Sequence, residues 1–396
     1  MYENLSFKIT HTDSSSWARC GLLKTPHGTL ETPNFIFCAT KGAMKSLTTQ
    51  QVKEAGADII LCNTYHLFLQ PGGGFVQKHG GLHKMLNWNG PMLTDSGGFQ
   101  IFSFGHGGIS AELKGTSNQA RPKTLLKIDE TGATFRSYVD GQVRVLTPEA
   151  SIKTQCQLGA DIILALDECA PIRADKSYNE RSMNLSHRWE LRCLGEFKKY
   201  DTSMQALYGV IQGGVYEDLR KLSAEFVRSN DFFGQAIGGS LGKSKAHMHE
   251  IIRLTCQHID KQRPTHLLGI GGMSDIINGI AGGIDTFDCV HPMRLARHGG
   301  ALLEPQHCDG KEFINIKNSK FSGDLSPIQE NCSCYCCKNF TKAYIHYLFK
   351  AKELLGGQLL AIHNTAFMSN FLKEIRAAIK AGAFGSIMKR WNIVAP

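Results

Sequence analysis

The sequence has no long hydrophobic run. No apolar stretch reaches 18 residues, and the first 16 residues are mainly polar. We therefore expect no membrane-spanning helix, no membrane partner and no export signal, and a chain that stays in the cytoplasm. Low-complexity tracts, long linkers and short-period repeats are also missing, so the chain is predicted to be globular throughout.

A strong excess of one charge is likewise missing. Forty-four Lys and Arg stand against 35 Asp and Glu, which leaves a formal net charge of +9. This modest excess suits a phosphate-rich partner but does not identify one. With 42% hydrophobic and 20% charged residues, the 396 residues suffice for one large domain or two ordinary ones.

The thirteen cysteines have no regular spacing. In a reducing cytoplasm thiols stay free, so a dense cysteine cluster indicates metal binding. One such cluster is Cys332-Ser-Cys334-Tyr-Cys336-Cys337, followed by His363. Three thiolates and one imidazole complete a tetrahedral zinc site and leave no position for a catalytic water. We predict one structural zinc ion per chain on Cys332, Cys334, Cys337 and His363. Cys336 is an alternative to Cys337, and buried or disulfide-paired cysteines are the other interpretation.

A looser unit recurs through the first 300 residues. A short apolar run ends in a polar or glycine-rich turn, and helix-compatible sequence follows. The runs are Phe35–Ala39, Asp58–Cys62, Pro91–Thr94, Asp161–Leu166, Leu207–Ile211, Gly234–Ile237, His266–Ile270 and Ile284–Phe287. Runs that are apolar on both faces and alternate with helices indicate a parallel sheet covered by helices. Eight units fit an α/β fold of the (β/α)8 barrel type, with a doubly wound open sheet as the main alternative.

Polar groups follow these runs. In a parallel barrel all strand ends open onto one face, where active sites lie. Asp95, Asp167 and Asp288 would meet there, together with Gln212 and the glycine pair ending at Gly239. Three carboxylates close together repel one another, an arrangement that stability alone does not favour. A helix N-cap is an equally good interpretation of any single one of these aspartates, but not of the whole set.

Two opposed aspartates suit glycosidic chemistry. One attacks an anomeric carbon while the other moves a proton, and covalent retention requires carboxyl groups about 5–5.5 Å apart. A third aspartate, an amide side chain and backbone N–H groups match the donor and acceptor edge of a purine. The ring of Phe99 is suited to stack on such a base.

Together these motifs resemble the tRNA-guanine transglycosylases of the bacterial, single-subunit type. The matching elements are Asn63-Thr-Tyr-His66, Thr94-Asp-Ser-Gly-Gly-Phe-Gln100, Leu166-Asp-Glu-Cys169, Val210-Ile-Gln-Gly-Gly214, Phe287-Asp-Cys-Val290 and the cysteine cluster with His363-Asn364. The resemblance extends from about Phe7 to Phe384. It implies an irregular (β/α)8 barrel with a zinc-binding subdomain near the C-terminus. It also implies exchange of guanine at the first anticodon position of tRNA for a free 7-deazaguanine base.

The resemblance implies a role for each strand-end residue. Asp288 would be the nucleophile on the ribose anomeric carbon, and Asp95 the general acid/base. Asp167 would accept hydrogen bonds from the base's ring N–H and exocyclic amine. Gln212 and the Gly239 N–H would bind its carbonyl oxygen.

Four more residues gain roles from the resemblance. Phe99 would form a wall of the base pocket, and Arg294 and Arg297 would hold RNA phosphates. At the position of Gly242, family enzymes that use the aminomethyl precursor prequeuine typically have Val, whereas those that use queuine have Gly. We therefore favour queuine as the incoming base. After Gly238-Gly239 the family usually reads Leu-Ala or Leu-Ser and soon reaches a Glu, whereas this chain reads Ser240-Leu-Gly-Lys-Ser244.

The predicted domain organisation has three parts. A catalytic barrel spans residues 1–300, with an inserted hairpin-like segment at about 107–142. A zinc-binding subdomain with closing helices spans 301–385, and a tail spans 386–396. The resemblance also implies a homodimer built around the zinc subdomain, where aromatic residues recur at roughly helical spacing. These residues are Phe340, Tyr344 and Tyr347, and inward packing is the other interpretation of them.

Two further functions remain open at this point. A barrel nucleosidase or glycosidase acting on small substrates with water would explain the carboxylates, but not the base-reading set or the zinc cluster. A non-catalytic RNA-binding relative would explain the charge. Presence of both Asp95 and Asp288 argues against that second alternative.

Overall fold

Eight parallel strands form a closed barrel at the centre of the protein. The computed structural model describes residues 1–105, 124–239, 241–242, 244–391 and 393. The barrel strands, in order around the barrel, are β4 (Asn34–Cys38), β5 (Ile60–Cys62), β6 (Met92–Thr94), β10 (Ile162–Leu164), β11 (Ala206–Ile211), β12 (Gly234–Ile237), β13 (Thr265–Leu267) and β14 (Thr286–Cys289). Strand β14 pairs with β4 and closes the ring. The predicted (β/α)8 barrel is confirmed, and the alternative open sheet is wrong.

Burial on both faces explains why the barrel strands lack alternation. In β4, Ile36 and Cys38 point into the barrel and pack with side chains of the other strands. Phe35 and Phe37 point outwards and join the larger core beneath the helices. Because neither face meets water, every residue of β4 is buried, and the strand reads as a continuous apolar run.

Three smaller sheets flank the barrel. An antiparallel sheet of β1 (Ser6–Thr12), β2 (Arg19–Thr25) and β3 (Gly28–Thr32) precedes it. Its Leu23 and Leu30 belong to the same buried cluster as the barrel interior. A second antiparallel sheet consists of β7 (Leu125–Asp129), β8 (Gly132–Arg136) and β9 (Val143–Leu146). Strands β15 (Gly300–Leu302) and β16 (Phe313–Asn315) form an antiparallel pair.

Helices cover the barrel and build the C-terminal part. Along the described chain they are α1 (Thr49–Glu54), α2 (Thr64–Leu69), α3 (Gly73–Lys78), α4 (Gly81–Leu86), α5 (Gly98–Gly105), α6 (Pro148–Leu158), α7 (Lys176–Phe197), α8 (Glu217–Arg228), α9 (Lys245–Cys256), α10 (Met273–Ala281), α11 (His291–Arg297), α12 (Tyr335–Asn339), α13 (Lys342–Lys350), α14 (Leu354–Lys380) and α15 (Phe384–Arg390). Two 3-10 turns, Pro305–His307 and Ser319–Phe321, lie between β15 and α12.

Local sequence sets the ends of these helices. At the start of α6, the Thr147 hydroxyl accepts a hydrogen bond from the Ala150 N–H, and Pro148 occupies the first helical position. The helix ends at Gly159, whose φ of +74° suits glycine. Within the described ranges, no helix combines the length and the apolar character that crossing a membrane requires.

The structure bears on the predicted insertion and on the predicted domain boundary. The hairpin-like insertion at 107–142 falls partly on residues 106–123, which lie outside the described residues. Its later part contributes to the β7–β9 sheet. The division at residue 300 stays a prediction, because the long helix α14 packs against α11 and β4 on one side of that boundary and against α12 and α13 on the other.

Candidate active site and metal centre

Three aspartates lie at the mouth formed by the C-terminal ends of the barrel strands. Asp95 follows β6 directly, Asp167 follows β10, and Asp288 lies in β14. Their charges interact: Asp288 contributes to raising the pKa of Asp95, and Asp95 contributes to raising that of Asp167. The fold thus brings together residues separated by almost 200 positions, as parallel strand ends require.

Asp95 accepts hydrogen bonds from three N–H groups. The backbone N–H of Thr64, the first residue of α2, donates to Oδ1 at 2.8 Å. The side-chain amides of Gln100 (2.7 Å) and Asn63 donate to Oδ2. Burial raises the pKa of Asp95 to about 6, because these hydrogen bonds offset only part of the desolvation. A carboxyl group with this pKa can both give and take a proton near neutral pH.

Asp288 has a different environment. Its Oδ1 accepts a hydrogen bond from the Gly269 N–H at 2.9 Å and lies 3.2 Å from Nε2 of the buried His266. Among the described residues, the hydrogen-bond partner of Oδ2 is the Cys38 thiol, at 3.8 Å. Burial, then Asp288, Cys289 and Asp95 raise the pKa of that thiol, so Cys38 stays a neutral neighbour. One oxygen of Asp288 is therefore held in place while the other accepts only a weak thiol contact, as a nucleophile requires.

Asp167, Gln212 and Gly239 form a continuous polar surface. The Gln212 side-chain amide donates to Asp167 Oδ2 at 2.5 Å, and the Ser96 hydroxyl lies 3.5 Å from Oδ1. Burial raises the pKa of Asp167 to about 6. Gly239 has a φ of +81°, and a Cβ there would overlap Gln212 Oε1. Only glycine allows this backbone to lie so close to the amide.

Phe99 and Gly242 lie on turns at the same mouth. Phe99 is the second residue of α5 and is 47% exposed, so its ring is available for stacking. The preceding Gly98 permits close packing, because a Cβ there would come within 2.9 Å of the Asp167 carbonyl oxygen. Gly242 has a φ of +103°, and a Cβ would lie 2.9 Å from the His247 ring. A Val at 242 therefore does not fit this backbone, and Ser240 and Lys243 lie outside the described residues.

Arg294 and Arg297 lie on α11, which begins three residues after Asp288. Arg294 is exposed. Arg297 is half-buried and donates from Nη1 to the Met293 carbonyl at 3.0 Å. Both arginines lie on the helix that follows the Asp288 strand, and no side-chain hydrogen bond or ion pair of Arg294 occurs among the described residues.

The four predicted zinc ligands converge. His363 Nδ1 lies 3.8, 3.9 and 3.3 Å from the Sγ atoms of Cys332, Cys334 and Cys337. Tetrahedral zinc with ordinary Zn–S and Zn–N bonds separates sulfur and nitrogen by about 3.6 Å. His363 Nε2 is 2.9 Å from the Leu302 carbonyl, which orients Nδ1 towards the sulfurs. The four side chains therefore fit a structural zinc ion, and Cys336 lies outside this ligand group.

Several residues of the site were not predicted as functional. Asn63 and Gln100 bind Asp95, and His266 contacts Asp288. Asn63 had a signal, because it follows an apolar run directly. His266 had none, because it lies within a strand and only the register of β13 against β14 brings it to Asp288.

Comparison with known proteins points in one direction. A family model described as queuine tRNA-ribosyltransferase matches residues 13–393. A curated protein of that name from Roseiflexus sp. (strain RS-1) is 44% identical over 98% of this chain and 99% of the relative. Proteins of the same name from Symbiobacterium thermophilum (43%; 98% and 91%) and Thermoanaerobacter sp. strain X514 (42%; 95% and 94%) are also similar.

Proposed function

The chain belongs to the queuine tRNA-ribosyltransferase family, and we propose that it exchanges guanine in tRNA for a 7-deazaguanine through a covalent ester on Asp288. The enzyme is a pentosyltransferase. This argues against the alternative of a non-catalytic RNA-binding relative. The observation that carries the proposal is the pairing of Asp95 and Asp288 at one mouth in unlike surroundings. Asp95 is half-buried with a pKa of about 6, whereas Asp288 presents Oδ2.

The chemistry divides into two displacements at the same carbon. Asp288 Oδ2 attacks C1′ of the ribose as the bond to guanine breaks, and protonated Asp95 gives its proton to the departing base. The ester then holds the tRNA while guanine leaves. Ionised Asp95 takes a proton from the incoming base, whose nitrogen attacks C1′ and releases the Asp288 carboxylate. Overall, one C1′–N glycosidic bond replaces another, so no ATP is required.

Recognition of the base would use Asp167, Gln212 and Gly239. A guanine edge offers a ring N–H and an amine to a carboxylate, and a carbonyl oxygen to N–H donors. Asp167 is held ready by Gln212, whose Nε2 occupies Oδ2 until a base replaces that hydrogen bond. Exposed Phe99 would stack on the bound ring.

Trapping the covalent intermediate tests this proposal. Wild-type protein incubated with unmodified tRNA is expected to give an RNA adduct on a denaturing gel and to incorporate labelled guanine. Asp288→Asn keeps the shape of the side chain but removes the nucleophile, so both signals should disappear. Free base released without incorporation would indicate a hydrolase instead. An undiminished adduct in Asp288→Asn would place the nucleophile elsewhere.

The incoming base is proposed to be queuine. Gly242 has no side chain at the position where prequeuine enzymes of the family have Val, which leaves room for the cyclopentene-diol of queuine. Gly242→Val would strain the backbone, so the direct test is competition between equimolar queuine and prequeuine in the wild-type enzyme. Preferential incorporation of prequeuine would contradict this choice.

The Cys3His group is proposed to hold one zinc ion whose role is structural. The ion would join the cluster containing Cys332, Cys334 and Cys337 to helix α14 through His363. Chelation or Cys334→Ser is therefore expected to lower the melting temperature and release one zinc per chain. Cys336→Ser is the matched control, because it changes a neighbouring buried cysteine outside the ligand group. Equal zinc loss in both variants would contradict this ligand assignment.

A homodimer is proposed on the aromatic surface of α12 and α13. Phe340, Tyr344 and Tyr347 stack in sequence with centroid separations of 5.5 and 6.5 Å, and Tyr347 is 61% exposed. Tyr335 adds another exposed ring beside the half-buried Phe340. Exposed rings of this kind are typical of an interface. Tyr347→Glu should shift the mass measured by light scattering from dimer to monomer, and a monomeric wild type would contradict the proposal.

A further inference from the structure

Arg220 is a fully buried cation whose partners are all backbone carbonyls. Its Nε donates to the Gly214 carbonyl at 2.8 Å. Its Nη1 donates to the carbonyls of Ile211 (2.9 Å) and Gly238 (2.7 Å). Within the described residues it forms no ion pair with a carboxylate. Burial lowers the pKa of Arg220 to about 10, so it remains charged at neutral pH. A buried charge without a counter-ion is costly, which suggests a function for this one.

The Gly238–Gly239 peptide shows what that function is. A trans peptide is planar, and its C=O and N–H point in opposite directions. Because Arg220 holds the Gly238 carbonyl behind the strand ends, the Gly239 N–H is turned to the opposite side, away from the guanidinium. Both glycines leave space for this arrangement, since a Cβ at Gly238 would approach Gln212 Nε2 and one at Gly239 would overlap Gln212 Oε1.

The neighbouring turn is held by the same helix. The Ile211 carbonyl accepts from Arg220, and the Gln212 N–H donates to the Ser223 hydroxyl at 3.0 Å. Arg220 and Ser223 are three residues apart, on one face of α8. Helix α8 therefore holds both ends of the Ile211–Gln212 peptide as well as the Gly238 carbonyl.

We propose that Arg220 is a positioning residue that orients the Gly239 N–H and the Gln212 side chain towards the carbonyl oxygen of the bound base. Arg220 itself does not touch the base. The inference rests on the proposed function, because it assumes that these two groups bind that oxygen. It differs from a general stabilising role in one respect: only recognition of the carbonyl oxygen should change.

Base analogues separate the two roles. 6-Thioguanine keeps the ring N–H and amine of guanine but replaces the carbonyl oxygen by a weakly accepting sulfur. Hypoxanthine keeps the carbonyl but lacks the amine that Asp167 would bind. Inhibition of labelled-guanine incorporation gives the relative affinities. In Arg220→Met the preference for guanine over 6-thioguanine should fall about tenfold, roughly the effect of one hydrogen bond. The preference for guanine over hypoxanthine should change less than twofold.

Arg263→Met is the matched control. Arg263 also donates to three backbone carbonyls, those of Val227, Arg228 and Asn230, but at the other end of α8. Its removal should lower the melting temperature without changing either preference. If Arg220→Met does not fold, Arg220→Lys decides, because it keeps the charge, but its three N–H donors radiate from a single nitrogen and cannot reproduce the guanidinium fork that reaches these carbonyls.

Three outcomes are decisive. A selective fall in the 6-thioguanine preference supports the inference. Unchanged preferences in a folded Arg220 variant, or an equal fall in both, would overturn it. If wild-type protein incorporates no guanine, the proposed function itself has failed, and that result is recognised before any variant is measured.

Discussion

One aspartate lies on each side of strand β10 along the chain, and the two behave in opposite ways. Asp161 precedes the strand at the end where the barrel strands start, and Asp167 follows it at the mouth. Both are buried. The pKa of Asp161 falls to about 2, whereas that of Asp167 rises to about 6.

Their partners explain the difference. Burial would raise the pKa of Asp161, but His27 Nδ1 at 2.8 Å and His83 Nε2 at 3.2 Å outweigh it, and the Met92 N–H donates at 2.8 Å. Among the described residues the hydrogen-bond donors to Asp167 are neutral, and they do not offset the effect of its burial. The first carboxylate stabilises the fold. The second is a buried carboxylate whose ionised form is destabilised, and a contrast between a stabilising end and a functional end is typical of such barrels.

The largest expected effect is on chemistry at the mouth. Asp95→Asn removes the proton carrier, so guanine exchange should fall by about 10²- to 10⁴-fold while tRNA binding remains. Single-turnover incorporation and a filter-binding assay measure the two quantities. Asp161→Asn should lose little exchange per folded molecule. If Asp95→Asn and Asp161→Asn lost exchange to a comparable extent, the distinction between the mouth and the opposite end of the barrel would be wrong.

At the end of the barrel opposite the mouth, the expected effect is on the stability of the fold. Asp161→Asn removes a fully buried carboxylate that contacts His27 and His83, and it should lower the free energy of unfolding by about 3 kcal/mol at pH 7. Because the folded pKa of Asp161 lies below its unfolded value, this contribution is present above pH 4 and is lost as the pH falls towards 2. Urea denaturation at several pH values measures it. A difference that persists unchanged at pH 2 would contradict the cause given.

Asp167→Asn should have the opposite sign. The folded pKa of Asp167 lies above its unfolded value, so its stabilising contribution is present below pH 4 and is lost as the pH rises through 6. At pH 7 the buried, ionised carboxylate destabilises the fold. The free energy of unfolding of the variant should therefore exceed that of the wild type by about 2 kcal/mol. The gain should vanish below pH 4. A destabilised variant at pH 7 would show that the hydrogen bonds of Asp167 matter more than its desolvation.

The same titration predicts weaker base binding in acid. Protonated Asp167 can no longer accept two hydrogen bonds from guanine, so the affinity for guanine should fall as the pH drops below 6, by about tenfold at pH 5. Equilibrium binding of labelled guanine in the absence of tRNA isolates this step from catalysis. In Asp167→Asn the affinity should be low and independent of pH over that range.

The smallest effect is expected at the rim of the mouth. Arg294→Ala should raise the KM for tRNA severalfold and reduce the salt dependence of tRNA binding by about one unit of slope. Binding of free guanine should not change, since Arg294 is predicted to meet phosphates. Arg390→Ala, on the distant α15, is a control for net charge. An equal effect of both substitutions would indicate nonspecific attraction.

The contribution of sequence differs between the two functional regions. The Cys3His group proposed to hold zinc was predictable because three of its members fall within six consecutive residues and the chemistry of zinc limits the choice. Cys337 could not be told from Cys336 by spacing, and the turn into α12 decided it by directing Cys337 towards His363. Strand-end aspartates were predictable as a set, because any parallel barrel brings strand ends together.

Sequence alone determined the family, the barrel and the residue types that could carry out the chemistry, because apolar runs and short motifs are local properties of the chain. It could not show that the pKa values of Asp161 and Asp167 differ, since both residues border the same run of apolar residues. It gave no hint of Arg220, whose partners lie on turns that only packing of α8 against β11 and β12 brings within reach. Charge state and backbone orientation depend on neighbours distant in sequence, and only the tertiary structure supplies them.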